Sequence, residues 1–384
     1  MGKREPVVQF HRDPLQFLDQ KFPAEGDAFW LPGRQLCLAE PVAARAVLTN
    51  DQGLYEDRSD FFHIKQGTFG PRAVQMQIAR ASRELLRAHV DARADELAAA
   101  VERELVPVSG WPDAGNWLVY RHLQAALVAP DSPLRLRRIV DEIVERAVLA
   151  GARERRSRLS RALFRFRVGR ELARAVEERR KRRAWETGPP ADLLDVVVGA
   201  AGPGALAAEL AEVFLSAVFA VAGSIGFVLG WSVYLLGSHP ETNAEPGWVV
   251  RESLRLWPVA WMLGSRPAQP HEVAGIAVTP DDEVVVCPYL VHRHPQHWDD
   301  PAGFRPERWA GVQRQPTAFI PFGWGPHKCP AAALSMELVE DILRILIGGY
   351  RLTFTPLETR PCVGPALAPP RFTLGLSQRE KGGE

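Results

Sequence analysis

At 384 residues the chain can bury one large core or two ordinary ones, and 46% hydrophobic with 24% charged residues is a globular composition. A formal net charge of +1 argues against nucleic acid as the main partner, which would favour a clearly basic surface. The four cysteines, Cys37, Cys287, Cys329 and Cys362, are too scattered for a disulfide framework or a C-x-x-C zinc pattern, so a reducing compartment is expected. Met-Gly-Lys-Arg-Glu-Pro at the start lacks the apolar core of a signal peptide. Pro6 stands where N-myristoylation takes Ser or Thr. No membrane anchor and a cytoplasmic location are therefore expected.

Asp13-Pro-Leu-Gln-Phe-Leu reads as an Asp-capped helix start. Two apolar runs around Pro32-Gly33, from Ala28 to Leu38, predict a hairpin, and Pro41 to Leu48 returns to helix period. A long helical pattern runs from Pro71 to Val106, followed by helical stretches near 118–127 and 133–151. Residues 152–185 are the most basic part, including Arg179-Arg-Lys-Arg-Arg183, with Leu159, Leu163, Phe166, Leu172 and Val176 at near-helical spacing. That segment reads first as a surface helix with a solvated cationic face, and second as a docking site for an acidic protein or carrier.

Gly188-Pro-Pro190 is a break. Val213 to Leu236 carries no charged residue and is long enough to span a membrane. Its recurring Gly and Ser, and the lack of a cationic flank, favour a buried central helix instead. A further helix through Val249–Trp257 stops at Pro258. Strand-like runs at Ile276–Thr279 and Glu283–Cys287 flank a turn at Pro280-Asp-Asp.

Cys329 sits in a Gly- and Pro-rich loop, Phe322-Gly-Trp-Gly-Pro-His-Lys-Cys-Pro-Ala331, just before an apolar-periodic segment from Ala332. A loop of this kind at a helix N-terminus can stabilise a thiolate and make it a metal ligand. Glu252 and Arg255, three apart on a helix, share one face and can pair. Alone that pair is usually a solvated surface feature. His292, His294 and His297 come without a Cys or carboxylate ligand set, which argues against a metal cluster. Cys37, Cys287 and Cys362 read as buried packing thiols.

Glu252-x-x-Arg255, then Phe304-Arg-Pro-Glu-Arg-Trp309, then Phe322-x-x-Gly-x-x-x-Cys-x-Ala331 occur in that order. Together they resemble the cytochrome P450 family, which carries E-x-x-R, F-x-P-E-R-[FW] and F-x-x-G-x-[HR]-x-C-x-G. The resemblance is specific over residues 250–340 and looser before them. It implies a mainly α, single-domain cytochrome P450 fold over 1–384. A β-hairpin portion would lie within 1–70 and a large helical haem-binding body, with a small β-rich portion, within 71–384.

The resemblance implies haem b held by Cys329 as axial iron ligand, between that loop and the central helix. Phe322 and Gly325 would shape the loop, and His327 and Arg266 would meet haem propionates. Arg80, four residues after Met76, is a candidate on the long helix with Arg83 beside it. Glu252, Arg255 and Arg308 would form a buried structural triad, and Trp261 and Met262 are substrate-contact or core residues.

The departures are as informative. Ala331 replaces the last glycine of the cysteine motif. Where the family carries [AG]-G-x-[DE]-T on its central helix, this chain has Ala222-Gly223-Ser224-Ile225-Gly226, so Ile225 and Gly226 stand at the acid and alcohol positions. Neither can move a proton, a service typically worth about 10²–10⁴-fold in rate. Gly226→Thr is the substitution that would restore the hydroxyl.

The expected activity is P450-type oxidation of a hydrophobic small molecule in a biosynthetic pathway, with electrons from a ferredoxin and its reductase. The first alternative is a haem-thiolate enzyme that runs on peroxide or performs a rearrangement or dehydration. The second is a non-catalytic P450-like binding or recruiting module, against which the intact Cys329, Glu252, Arg255 and Arg308 speak.

Overall fold

The computed structural model describes residues 5–57, 60–65, 67–149, 157–183, 185, 188–202 and 204–379. The chain forms two compact units, each assembled from separate stretches. Residues 1–58, 241–332 and 361–368 make the first, and residues 59–240, 333–360 and 369–384 the second.

In the first unit Asp13 caps the helix Pro14–Glu25, its side chain accepting the Gln16 N–H at 3.1 Å. Ala28–Leu31 and Gln35–Leu38 form the expected antiparallel hairpin, Ala28 opposite Leu38. The sheet then grows in a way that local pattern does not announce. Glu283–Val286 joins Gln35–Leu38 in parallel, and Leu263–Ser265 adds antiparallel to its other edge. Ile276–Val278 therefore pairs back with His271–Val273 rather than across the Pro280-Asp-Asp turn. Asp282 holds that turn, accepting the Thr279 N–H and hydroxyl, each at 2.8 Å.

The second unit is mostly helical. The long pattern after Pro71 resolves into Arg72–Ala92, a short 3₁₀ turn and Leu97–Leu105. Ile78, Leu86, Leu118, Leu123, Phe214 and Trp231 are in its core. Tyr350–Pro356, Phe372–Gln378 and Val108–Trp111 form a three-stranded antiparallel sheet, and the Trp111 and Phe372 rings stack at 5.5 Å.

The basic helix Arg158–Arg183 departs from a simple solvated face at its C-terminal end. Arg179 is buried, donating to Asp192, Asp195 and the Ser132 hydroxyl, and Arg182 reaches Asp195 at 3.3 Å. Such a network needs its full set of partners, because a stranded buried charge is costly.

Ala207–Ser238 forms the central apolar helix, long and apolar enough to cross a membrane by length and composition, with 72% of its most apolar stretch buried. Its middle, Phe219–Ile225, is wound as a π-helix between α-helical flanks. In π-winding the backbone bonds run to the fifth residue, so local carbonyls lose their α-helical donors.

Candidate active site

Glu252 and Arg255 lie on the helix Pro246–Leu256 and are completely buried. Their pairing is bidentate, Arg255 Nε and Nη2 donating to Glu252 at 2.9 and 2.7 Å. Glu252 also accepts from Arg308 Nε and the Arg305 N–H at 3.0 Å and from Trp309 Nε1 at 2.9 Å. The outer nitrogens of Arg255 reach the carbonyls of His292, Pro301 and Gly303 at 2.7–3.1 Å. The triad is thus the hub of a hydrogen-bond web that fixes the loop from His292 to Trp309. Short charge-assisted bonds of this kind are the strong ones, and here they meet both burial and full satisfaction.

The Cys329 loop is held from the other side by the helix Pro41–Thr49. Gly325 has φ +68°, and a Cβ there would lie 2.8 Å from Thr49 Cα and 2.9 Å from the Leu48 carbonyl oxygen. Only glycine fits that conformation and that approach. Arg45, from the same helix, stacks on the Trp324 ring at 3.6 Å and donates to the Pro316 carbonyl at 2.7 Å. Within the loop the Cys329 N–H donates to the Phe322 carbonyl at 2.9 Å and the Lys328 N–H to Gly325 at 3.2 Å.

The Cys329 thiol is half-buried. Burial pushes its pKa up, while the Ala331 N–H donating to sulfur and the Lys328 charge pull it down. Sulfur therefore has a backbone donor and a neighbouring cation, and a bound metal ion would complete its stabilisation as thiolate. Among the described residues no group of three or more His, Cys, Asp or Glu side chains converges as a metal site. His292 instead bonds Ile320 and Leu254, and His294 bonds Asp27 at 2.9 Å.

His327 Nε2 meets Asp57 at 2.6 Å on the exposed part of the loop. Arg266 is exposed and its carbonyl accepts the Glu56 N–H at 2.9 Å. Arg80 is committed to Glu84 at 2.9 Å with both side chains in solvent, 75% and 60% exposed, and Arg83 is exposed as well. Trp261 is buried, its indole N–H donating to the Gly364 carbonyl at 2.8 Å, and Met262 beside it is half-buried.

On the central segment Ala222, Gly223, Ile225 and Gly226 are buried, and Ser224 is half-buried. Gly226 is pressed against Asn116: a Cβ at 226 would collide with its Nδ2 and lie 2.7 Å from its Cα. A threonine does not fit there without moving the helix Asp113–Leu127. Sequence pattern singled out neither Asn116 nor the Arg45–Trp324 stack. The one available signal was Gly226 itself, a glycine where a helix needs none.

Residues 247–370 match the cytochrome P450 family model. Pentalenene oxygenase of Streptomyces avermitilis is 26% identical over 205 residues, 45% of each chain. A putative cytochrome P450 135B1 of Mycobacterium bovis is 24% identical over 91% of this chain and 84% of its own length. The crystal structure of CYP175A1 from Thermus thermophillus superposes with a TM-score of 0.75, covering 98% of this chain and 99% of that one at 20% identity. Over residues 247–370 the chain is similar to cytochrome P450 proteins. It has the mainly α P450 fold with small sheets. Among the first curated relatives it matches, the aligned stretch spans 45% of pentalenene oxygenase and 28% of mouse cytochrome P450 4V2. P450 proteins bind haem b. The donor set around Cys329 fits that group: one thiolate-forming sulfur, a backbone N–H aimed at it, and a loop too tight to rearrange.

Proposed function

We propose that this chain is a haem-thiolate oxidoreductase of the cytochrome P450 family that oxidises a hydrophobic small molecule, with Cys329 as the residue that would hold the haem iron. The observation that carries the reading is the Cys329 sulfur itself, which receives the Ala331 N–H in a loop locked by Gly325 against Thr49. A protein with no haem to hold has no use for that arrangement, which weighs against a non-catalytic recruiting module. When bound, haem supplies the one-electron and oxygen chemistry. The chain's own residues hold and orient it. Phe322 and Gly325 shape the loop, and Glu252, Arg255 and Arg308 keep the preceding loop rigid. His327 and Arg266 are the propionate-binding candidates of the first unit. Arg80, spent on Glu84 in solvent, is a poor one.

A biosynthetic oxidation fits the likeness to pentalenene oxygenase. Electrons would come from a ferredoxin and its reductase, docking where Lys328 is exposed beside the cysteine, in the cytoplasm. Peroxide-driven oxidation or a rearrangement is the second reading, favoured by Ile225 and Gly226. Ser224 is the only hydroxyl residue between Ser216 and Ser232, so it is the one alcohol the segment can offer. Ala222, Gly223, Ile225 and Gly226 would then serve as apolar wall rather than as proton carriers.

The test is spectroscopic first. The haem-loaded protein should give the red-shifted thiolate band of the reduced carbon monoxide complex, and Cys329→Ala should abolish it. If the wild type lacks the band, the reading fails. Turnover of apolar candidate substrates with reductase and oxygen, compared with peroxide alone, then separates the two oxidative readings.

A further inference from the structure

The π-wound segment Phe219–Ile225 creates a local problem. Its carbonyls are displaced from α-helical donors, and it has no polar side chain but Ser224. The solution comes from another helix. Asn116, on Asp113–Leu127, is wholly buried and donates its Nδ2 to the Ala222 carbonyl at 2.7 Å and the Gly223 carbonyl at 3.1 Å. Glycine at 226 is what lets Asn116 come so close, since any Cβ there would strike it. Gly115 allows the same approach one residue earlier: a Cβ on it would stand 2.5 Å from the Trp111 ring and 3.3 Å from the Gly226 carbonyl. The Asn116 Oδ1 has no hydrogen-bond partner among the described residues, an uncommon state for a buried amide oxygen.

We infer that Asn116 is a positioning residue that sets the π-winding of the central segment and thereby the direction of Ser224. By holding the 222 and 223 carbonyls toward its own helix, Asn116 keeps Ala222 and Gly223 on the buried face. Phe219, Ala220 and Ser224 form the less buried face. Its consequence for catalysis rests on the haem-thiolate reading, whereas the geometry does not.

Asn116→Ala and Asn116→Asp test it by hydrogen–deuterium exchange of peptides covering 219–230, with peptides from 333–346 as the control. Losing the amide should speed exchange in 219–230 about fivefold or more, as expected for removing about 1 kcal/mol of local bonding, and leave the control unchanged. In Asn116→Asp only the protonated carboxyl can donate to a carbonyl. Its protection should therefore match wild type at acidic pH and match Asn116→Ala at alkaline pH, a switch that loss of packing alone does not produce. In the haem-loaded protein Asn116→Ala should keep the thiolate band yet send a several-fold larger share of reducing equivalents to peroxide. Unchanged exchange in 219–230, a rise spread equally over the control, or an Asp variant without the pH switch would overturn the inference. An unchanged peroxide share would confine Asn116 to the fold. Absence of the thiolate band in the wild type would defeat the haem reading alone, and the exchange result would still decide the role of Asn116 in the segment.

Discussion

His292 Nε2 accepts the backbone N–H of Ile320 at 2.8 Å while its Nδ1 donates to the Leu254 carbonyl at 3.2 Å. That pair of bonds fixes one neutral tautomer and ties the helix Pro246–Leu256 to the chain leading into the cysteine loop. Burial, with Arg255 and Arg293 nearby, lowers the His292 pKa to about 3. Burial, helped by His89 and Arg93, lowers that of His122 to about 4.

Both rings are neutral in the folded chain and have an ordinary pKa of about 6.5 when unfolded. Their contribution to stability is complete above that value and is lost as pH falls through 6.5 toward the folded pKa, at up to about 1.4 kcal/mol per pH unit for each ring. Unfolding free energy measured between pH 7 and pH 4.5 should fall accordingly, and His122→Leu should remove about one proton's worth of that slope. An identical slope in the variant would exclude His122 as a source.

Glu252 accepts five hydrogen bonds with no exposure to water. Glu252→Ala strands the Arg255 guanidinium, itself fully buried, and should cost about 3–5 kcal/mol. Glu252→Gln keeps the shape but puts an amide N–H₂ where a carboxylate oxygen accepted donors, so it should cost nearly as much. Denaturant titration of the two variants checks this, and a loss below about 1 kcal/mol in either would show that the web tolerates a broken hub.

Residues 250–340 were legible because the family pattern they resemble fixes particular residue types at fixed spacing: a cysteine in a glycine loop, and a carboxylate with its arginines. The hairpin at Ala28–Leu38 was legible for a local reason, a turn between two alternating runs. What pattern could not supply were pairings between distant stretches. Gln35–Leu38 with Glu283–Val286, Arg179 with Asp192, and Asn116 with the Ala222 carbonyl each join segments whose own sequences would suit other partners. The central helix shows the limit most clearly. Counting along an assumed motif put an alcohol position at Gly226, but the side-chain direction there is decided by the neighbouring helix and by the π-winding, which no count of residues reveals.

Gly226→Thr should therefore fail as a restoration. Its Cβ would meet Asn116 Nδ2 and Cα, and the backbone of that helix cannot step aside as a flexible side chain could. Overpacking of this kind costs about 1–3 kcal/mol, and the β-branched residue adds to it. A lowered melting temperature with no gain in oxygen-driven coupling is the expected outcome. A stable variant with improved coupling would show that the segment can rewind to accept the hydroxyl.

Arg45 braces the cysteine loop from a helix far earlier in sequence, and two of its contacts can be separated. The guanidinium stacks on Trp324 at 3.6 Å, and Nη2 donates to the Pro316 carbonyl at 2.7 Å. Lys328 lies 6.0 Å from the same ring, too far to replace it well. Arg45→Ala removes both contacts and should cost about 1–2 kcal/mol. Arg45→Lys keeps the charge and loses the planar stack, so it should fall between. Because Trp324 and Cys329 share one loop, the haem-free Arg45→Ala protein should also alkylate Cys329 several-fold faster than wild type. A stability loss without faster alkylation would mean that Arg45 supports its own helix and leaves the thiol's surroundings intact. The combination of faster alkylation and partial rescue by lysine is what a brace on the cysteine loop requires.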